Sequence, residues 1–157
     1  MQTLHQLLDK YGESHQNKVN KLIHWICVPS IMFSLAGLVM SIPFPFVDTK
    51  TFLFNWAFIL FILAWVYYLR LSILMFFCFI VIGLLMIWGN FTILNFVNSD
   101  RNLALVSIII FVIAWIGQFI GHSIEGKKPS FLQDLQFLLI GPAWLLHFVF
   151  KKLSIKY

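Results

Sequence analysis

The chain has 157 residues, of which 61% are hydrophobic and only 11% charged, against about a quarter charged in a soluble domain. With eighteen Phe and six Trp, this composition excludes an ordinary soluble enzyme, a disordered chain and a coiled coil, and makes lipid the expected solvent. A net charge of +5 from 11 basic and 6 acidic residues is too small and too scattered for nucleic-acid binding.

In chain order, the first 21 residues are polar and mixed in charge, with no apolar core before a small-residue cleavage site, so no signal peptide is expected. Residues 2–10 are predicted as a short interfacial helix with Leu4, Leu7 and Leu8 on one face. The first span is predicted from Leu22 to Ile42, ending at Pro43 and Pro45, which cannot continue a helix. Residues 51–99 carry one charge, Arg70, and are too long for a single span. Dividing them there predicts Phe52–Leu69 and Leu71–Phe96, with Asp100-Arg101 closing the hairpin. A fourth span is predicted from Leu103 to about Ile120. A fifth apolar stretch, Phe131–Phe150, is interrupted by Gly141-Pro142. The expected fold is therefore an all-α polytopic membrane bundle, one domain over residues 1–157. It has four transmembrane helices and a C-terminal segment that is re-entrant, interfacial or a fifth transmembrane helix. Cys27 and Cys78 both lie in apolar runs and suit small buried hydrophobes better than a disulfide framework or a thiolate zinc site.

Loop charge sets the expected orientation. With a cytoplasmic N-terminus and four spans, the inside holds Lys10, Lys18, Lys21, Arg70, Lys127, Lys128, Lys151, Lys152 and Lys156, and the outside only Lys50 and Arg101. A full fifth crossing would carry the last three Lys outside and weaken that bias, so a stretch that returns or lies in the interface is preferred.

Polar residues collect in two places. Residues 11–29 read YGESHQNKVNKLIHWICVP and residues 114–130 read AWIGQFIGHSIEGKKPS. The predicted topology puts His15, His24, His122 and Glu125 at one membrane surface, the cytoplasmic one. Ionisable residues near lipid are the default functional candidates. On a continuing helix His122 and Glu125, three apart, share a face. Three imidazoles and a carboxylate suit a divalent transition metal, the carboxylate favouring iron or manganese. Asn17, Asn20 and Gln118 could orient the rings or cap helix ends. Tyr11 could donate to a bound ligand or anchor the interface. Gly117 and Gly121 form a small-xxx-small pair that lets another helix approach. His5 and His147 are weaker ligand candidates. HExxH, G-x-S-x-G, P-loop and G-x-G-x-x-G motifs are all absent, and the nearly apolar midplane argues against a transporter.

The pattern formed by Tyr11, His15, Asn17, Asn20, Ile23, His24, Val28 and Pro29, followed by Gln118, Phe119, Ile120, Gly121, His122, Glu125, Gly126 and Pro129, resembles the Mpo1-like family. Gln16 stands where the family pattern has a further His, and the spacing from His122 to Glu125 is one residue shorter. The resemblance implies an integral membrane Fe(II)-dependent dioxygenase that shortens 2-hydroxy fatty acids by one carbon in fatty-acid α-oxidation, using O2 without 2-oxoglutarate. It implies metal ligation by His15, His24 and His122. Glu125 is expected as a fourth ligand or a supporting group, alongside Tyr11 and Gln118 in the catalytic site. Asn17, Asn20, Lys127 and Lys128 are expected to meet the substrate, the lysines, with Lys18 and Lys21, forming a basic collar for a fatty carboxylate. The acyl tail is expected among the spans. A bacterial inner membrane and the endoplasmic reticulum are both compatible hosts. Two other functions fit the same residues: a zinc-dependent membrane lipid hydrolase, and a non-enzymatic membrane scaffold.

Overall fold

The computed structural model describes residues 3–46, 51–126 and 137–155. They form six helices: α1 (Leu4–Gly12), α2 (Lys18–Ser41), α3 (Trp56–Leu71), α4 (Ile73–Val97), α5 (Asp100–Glu125) and α6 (Ile140–Lys152), with no strand among the described residues.

Local chemistry fixes most of the ends. Thr3 and Gln6 make a reciprocal capping box on α1, and Leu4, Leu8 and Tyr11 form its buried face. Asn17 caps α2 by accepting from the N–H groups of Val19 and Asn20. α2 stops before Pro43, whose predecessor Ile42 is extended. A single residue, Ser72, joins α3 to α4: its N–H donates to the Tyr68 carbonyl and its hydroxyl accepts from Met75 N. The predicted break at Arg70 thus falls two residues later, and Leu71 belongs to α3. Asn98, in the left-handed region at φ 48°, ends α4, and Ser99 caps α5. Asp100 and Arg101 consequently open α5 instead of forming a loop.

α2, α4 and α5 have 24, 25 and 26 residues and are long and apolar enough to cross a membrane. Of the four predicted spans, α3 is the short one, with 16 residues, or about 24 Å at 1.5 Å per residue, against about 30 Å of hydrocarbon. Its start is delayed because Asn55 donates to the carbonyls of Thr51 and Phe52 and accepts from Phe58 N, closing a capped turn over residues predicted as helix. Within the fifth apolar stretch, Gly141-Pro142 is not the break. It occupies the first turn of α6, where proline's missing N–H leaves no hydrogen bond unmade.

Side chains are distributed inside out relative to a water-soluble protein. Ile113 is 64% and Phe96 87% exposed, whereas Asn20, His24, Ser34 and Asn90 are fully buried. That is the arrangement expected where the surroundings are lipid and the polar groups must find partners within the bundle. Asn90 of α4 donates to the Phe33 carbonyl of α2 and to Met86 O. Near the site, α2 and α5 pack closely along Gly117 and Gly121. A Cβ at 117 would stand 2.6 Å from Cys27 Sγ, and one at 121 would collide with Asn20 Oδ1. Tyr68 of α3 stacks on Phe79 at 3.7 Å and donates its hydroxyl to Leu139 O at 2.6 Å. This bond fixes the turn that leads α6 back against α1.

Candidate metal centre

His15 lies in the short connection between α1 and α2. Its N–H donates to Gly12 O at 3.0 Å, and its Nδ1 donates to Tyr11 O at 2.7 Å. The ring stacks on Tyr11, with centroids 4.3 Å apart and planes 13° apart, and also meets Trp144 of α6 at 5.2 Å. His24 sits two turns into α2, its Nδ1 donating to the Asn20 carbonyl one turn earlier at 2.9 Å. His122 comes from the last turn of α5. The three rings are 2%, 0% and 4% exposed, with centroids 4.3 to 5.1 Å apart.

The hydrogen bonds determine which ring atoms are free to bind an ion. A carbonyl oxygen only accepts, so Nδ1 carries the proton in both His15 and His24. In the neutral rings each Nε2 then presents a lone pair, and these two atoms face each other at 2.9 Å. Two facing lone pairs repel; a cation between them makes the contact attractive. A proton could serve this pair, but His122 brings a third nitrogen, and one ligand atom from each ring lies within 4.8 Å of the others. A metal ion serves all three. Metal–imidazole bonds of about 2.0–2.1 Å meeting near a right angle put two nitrogens about 3 Å apart, close to the observed separation. The donor set therefore fits a divalent transition metal. The backbone carbonyls supply the outer hydrogen bonds that orient metal-bound imidazoles. Among the described residues, no other trio of His, Cys, Asp or Glu offers ligand atoms so close together.

Glu125 stands beside this cluster and is fully engaged. Oε1 accepts from Gln16 N at 2.7 Å, and Oε2 accepts from Asn17 N at 2.8 Å and Asn20 Nδ2 at 3.0 Å. Its carboxylate thus ties the end of α5 to the start of α2, where helix N–H groups favour negative charge. Asn17 acts as the α2 cap. Asn20 holds Glu125 with its side chain and His24 with its carbonyl. Gln16 donates its side-chain amide to Gly12 O at 2.6 Å. Gln118 is buried one turn before His122 and, with Tyr11, lines a small cavity beneath the rings. His147 lies at the α1–α6 groove with Asp9 and Glu13, and His5 is exposed on α1; neither joins the trio. Lys127, Lys128 and Pro129 lie outside the described residues. Trp144, which walls the site against His15 and Tyr11, was not singled out from sequence. Nothing in an apolar run distinguishes the one Trp that folds back onto a distant loop.

A helical bundle with three membrane-length helices and a buried three-imidazole cluster at one end fits a membrane protein that could hold a metal ion there. The profile of the Mpo1-like family, described as 2-hydroxy-palmitic acid dioxygenase Mpo1-like, matches residues 1–153. The chain belongs to that family. No curated protein and no solved structure matches it.

Proposed function

We propose that this chain is an Fe(II)-dependent dioxygenase that removes one carbon from 2-hydroxy fatty acids at the cytoplasmic face of its membrane. The observation that carries the reading is the pair of Nε2 atoms facing each other at 2.9 Å with both Nδ1 protons committed to carbonyls, and a third imidazole beside them. His15, His24 and His122 would hold the iron. Three protein ligands leave positions open, and ferrous iron would supply there a centre able to bind O2 together with the carboxylate and α-hydroxyl of a 2-hydroxy acid. The overall change R–CH(OH)–COOH + O2 → R–COOH + CO2 + H2O balances, and the substrate itself supplies every electron needed to reduce dioxygen. No keto-acid co-substrate is required.

The protein's own groups position and enclose. The Tyr11 and Asn20 carbonyls fix two rings with Nε2 inward. Glu125 fixes the loop that carries His15. Tyr11, Trp144 and Gln118 close the buried side of the site, so the reacting head is shielded from bulk water while the tail meets apolar side chains. Lys18 and Lys21, in the first turn of α2, would draw a carboxylate to that surface, and Lys127 and Lys128, which follow Glu125 closely in sequence, would add to the local positive charge.

The test is metal analysis of protein purified anaerobically in mild detergent, paired with product analysis on 2-hydroxyhexadecanoic acid. We expect one iron per chain, its loss in each of His15→Ala, His24→Ala and His122→Ala, and O2-dependent formation of the acid one carbon shorter. Zinc with O2-independent hydrolysis, or normal iron and turnover in His122→Ala, would overturn the reading.

A further inference from the structure

The small cavity beneath the imidazoles, about 30 Å³ and lined by Tyr11, Gln118, Val28, Met32 and Gly141, has room for only about two waters. A second, larger cavity of about 140 Å³ lies between α2, α4 and α6. Pro29 and Met32 of α2, Phe79 and Met86 of α4, and Pro142 and Val149 of α6 line it. The α4 pair and the α6 pair are each seven residues apart, so each lies along one helical face, and the three faces converge on an apolar trough.

The two cavities share Met32. Two further pairs of lining residues are sequence neighbours: Val28 beside Pro29 on α2, and Gly141 beside Pro142 on α6. The shared side chain is an unbranched methionine, the type most able to change rotamer and open a passage. Met32 is eight residues beyond His24, about 12 Å along α2, past the reach of an eight-carbon acid anchored at the imidazoles but within that of a sixteen-carbon one.

We propose that the alkyl chain of the substrate runs from the imidazole cluster past Met32 into the trough between α2, α4 and α6, and that Met32 and the trough walls set which chain lengths are accepted. This rests on the dioxygenase reading for the identity of the head group. The trough is apolar throughout and Trp25 at its edge is 42% exposed. A tail could therefore pass from lipid into the protein without meeting water, leaving hydrophobic transfer nearly neutral and length discrimination to shape. A branched or ring-bearing chain would be rejected at Met32.

Two measurements test it together. The first is photolabelling of the iron-loaded protein with a 2-hydroxy fatty acid bearing a mid-chain diazirine, with adducts mapped by peptide mass spectrometry. We expect adducts on Phe79, Ile82, Met86 or Val149, and competition by unlabelled 2-hydroxyhexadecanoic acid. The second is the ratio of turnover on 2-hydroxyhexadecanoic acid to that on 2-hydroxyoctanoic acid. Met32→Trp, at the shared wall, and Leu146→Trp, on the α6 wall of the trough, should each lower that ratio about ten-fold with iron content unaltered. Adducts spread over the lipid-facing residues of α5, such as Ile109 and Ile113, would overturn the proposal. So would competition equally by a phospholipid, or an unchanged ratio in both variants. Absence of O2-dependent turnover on every 2-hydroxy acid would instead overturn the dioxygenase reading. The labelling pattern would still decide where an acyl chain sits.

Discussion

At the scale of single residues, the spacing of His122 and Glu125 left the carboxylate as a fourth ligand or a supporting group, and its hydrogen bonds favour the supporting role. Both oxygens accept from the loop and the α2 cap, so we propose Glu125 as a positioning residue whose effect would reach a bound metal through His15 and Asn20. Glu125→Gln keeps the shape and one acceptor oxygen but places an amide donor opposite backbone N–H groups. The expected consequence is a loss of about 1 kcal/mol in stability and an approximately ten-fold weaker hold on iron, the lower end of what changing an outer hydrogen bond does to a metal site. Iron titration of the apo variant measures this. At saturating iron, turnover per loaded chain should return to the wild-type value. Persistent loss of turnover at full loading would show that the carboxylate acts on the reacting atoms. The three histidines were legible because imidazoles are scarce in lipid-facing sequence and these fall near predicted helix ends. The work of Asn20 was half legible: its side chain could be read as a polar neighbour, but the carbonyl that orients His24 belongs to the backbone and carries no residue-type signal.

At the scale of helices, the site depends on how closely α5 lies against α2. Gly117 and Gly121 were readable as a close-approach pair, although the sequence could not say which helix they approach. The structure places Cys27 and Asn20 directly over them. Gly121→Ala puts a methyl group into Asn20 Oδ1, which is already buried without a hydrogen-bond partner among the described residues. The helices must separate or Asn20 must turn, and both disturb His24, Glu125 and the adjacent His122. We expect a cost of about 1–3 kcal/mol with loss of bound iron, read by thermal unfolding in detergent and metal analysis. Unaltered iron content would mean that the α2–α5 contact has slack that the static distances do not suggest. Tyr68→Phe probes a different joint. It leaves the Leu139 carbonyl without the hydroxyl at the turn before α6, at an expected cost of about 1 kcal/mol. Because α6 carries Trp144, faster proteolysis at residues 137–140 should accompany it. The helix ends themselves were legible to within a few residues wherever a proline or a single charge marks them. The short α3 was not, because Asn55 delays it through side-chain bonds to Thr51 and Phe52 that hydropathy does not register.

At the scale of the whole molecule, long continuous apolar runs specified a membrane-type helical bundle, because outside water backbone groups are satisfied only in helices or closed barrels, and barrel strands are short and alternating. Composition was silent about which ends meet. The candidate metal centre is assembled from a loop near the N-terminus, the start of α2 and the end of α5, with α6 folded back as a wall. The α3–α4 hairpin contributes no ligand. An ion held by all three histidines therefore ties distant parts of the chain together and does nothing locally for the hairpin. Binding confined to the folded state stabilises by mass action, about 2.7 kcal/mol at a hundred-fold excess over Kd. Chelation of the metal from the purified protein should accordingly lower its unfolding temperature. The change should also be uneven, because local opening is governed by local contacts. Hydrogen exchange after chelation should rise in α1, in the loop carrying His15, and in the first turns of α2 and last turns of α5. The amides of Trp56–Leu71 and Ile73–Val97 should keep their protection. Equal loss of protection in the hairpin would mean that the ion stabilises the bundle globally. No change anywhere would mean that the three imidazoles pack as stably without an ion as with one, removing the physical argument that they form a metal site.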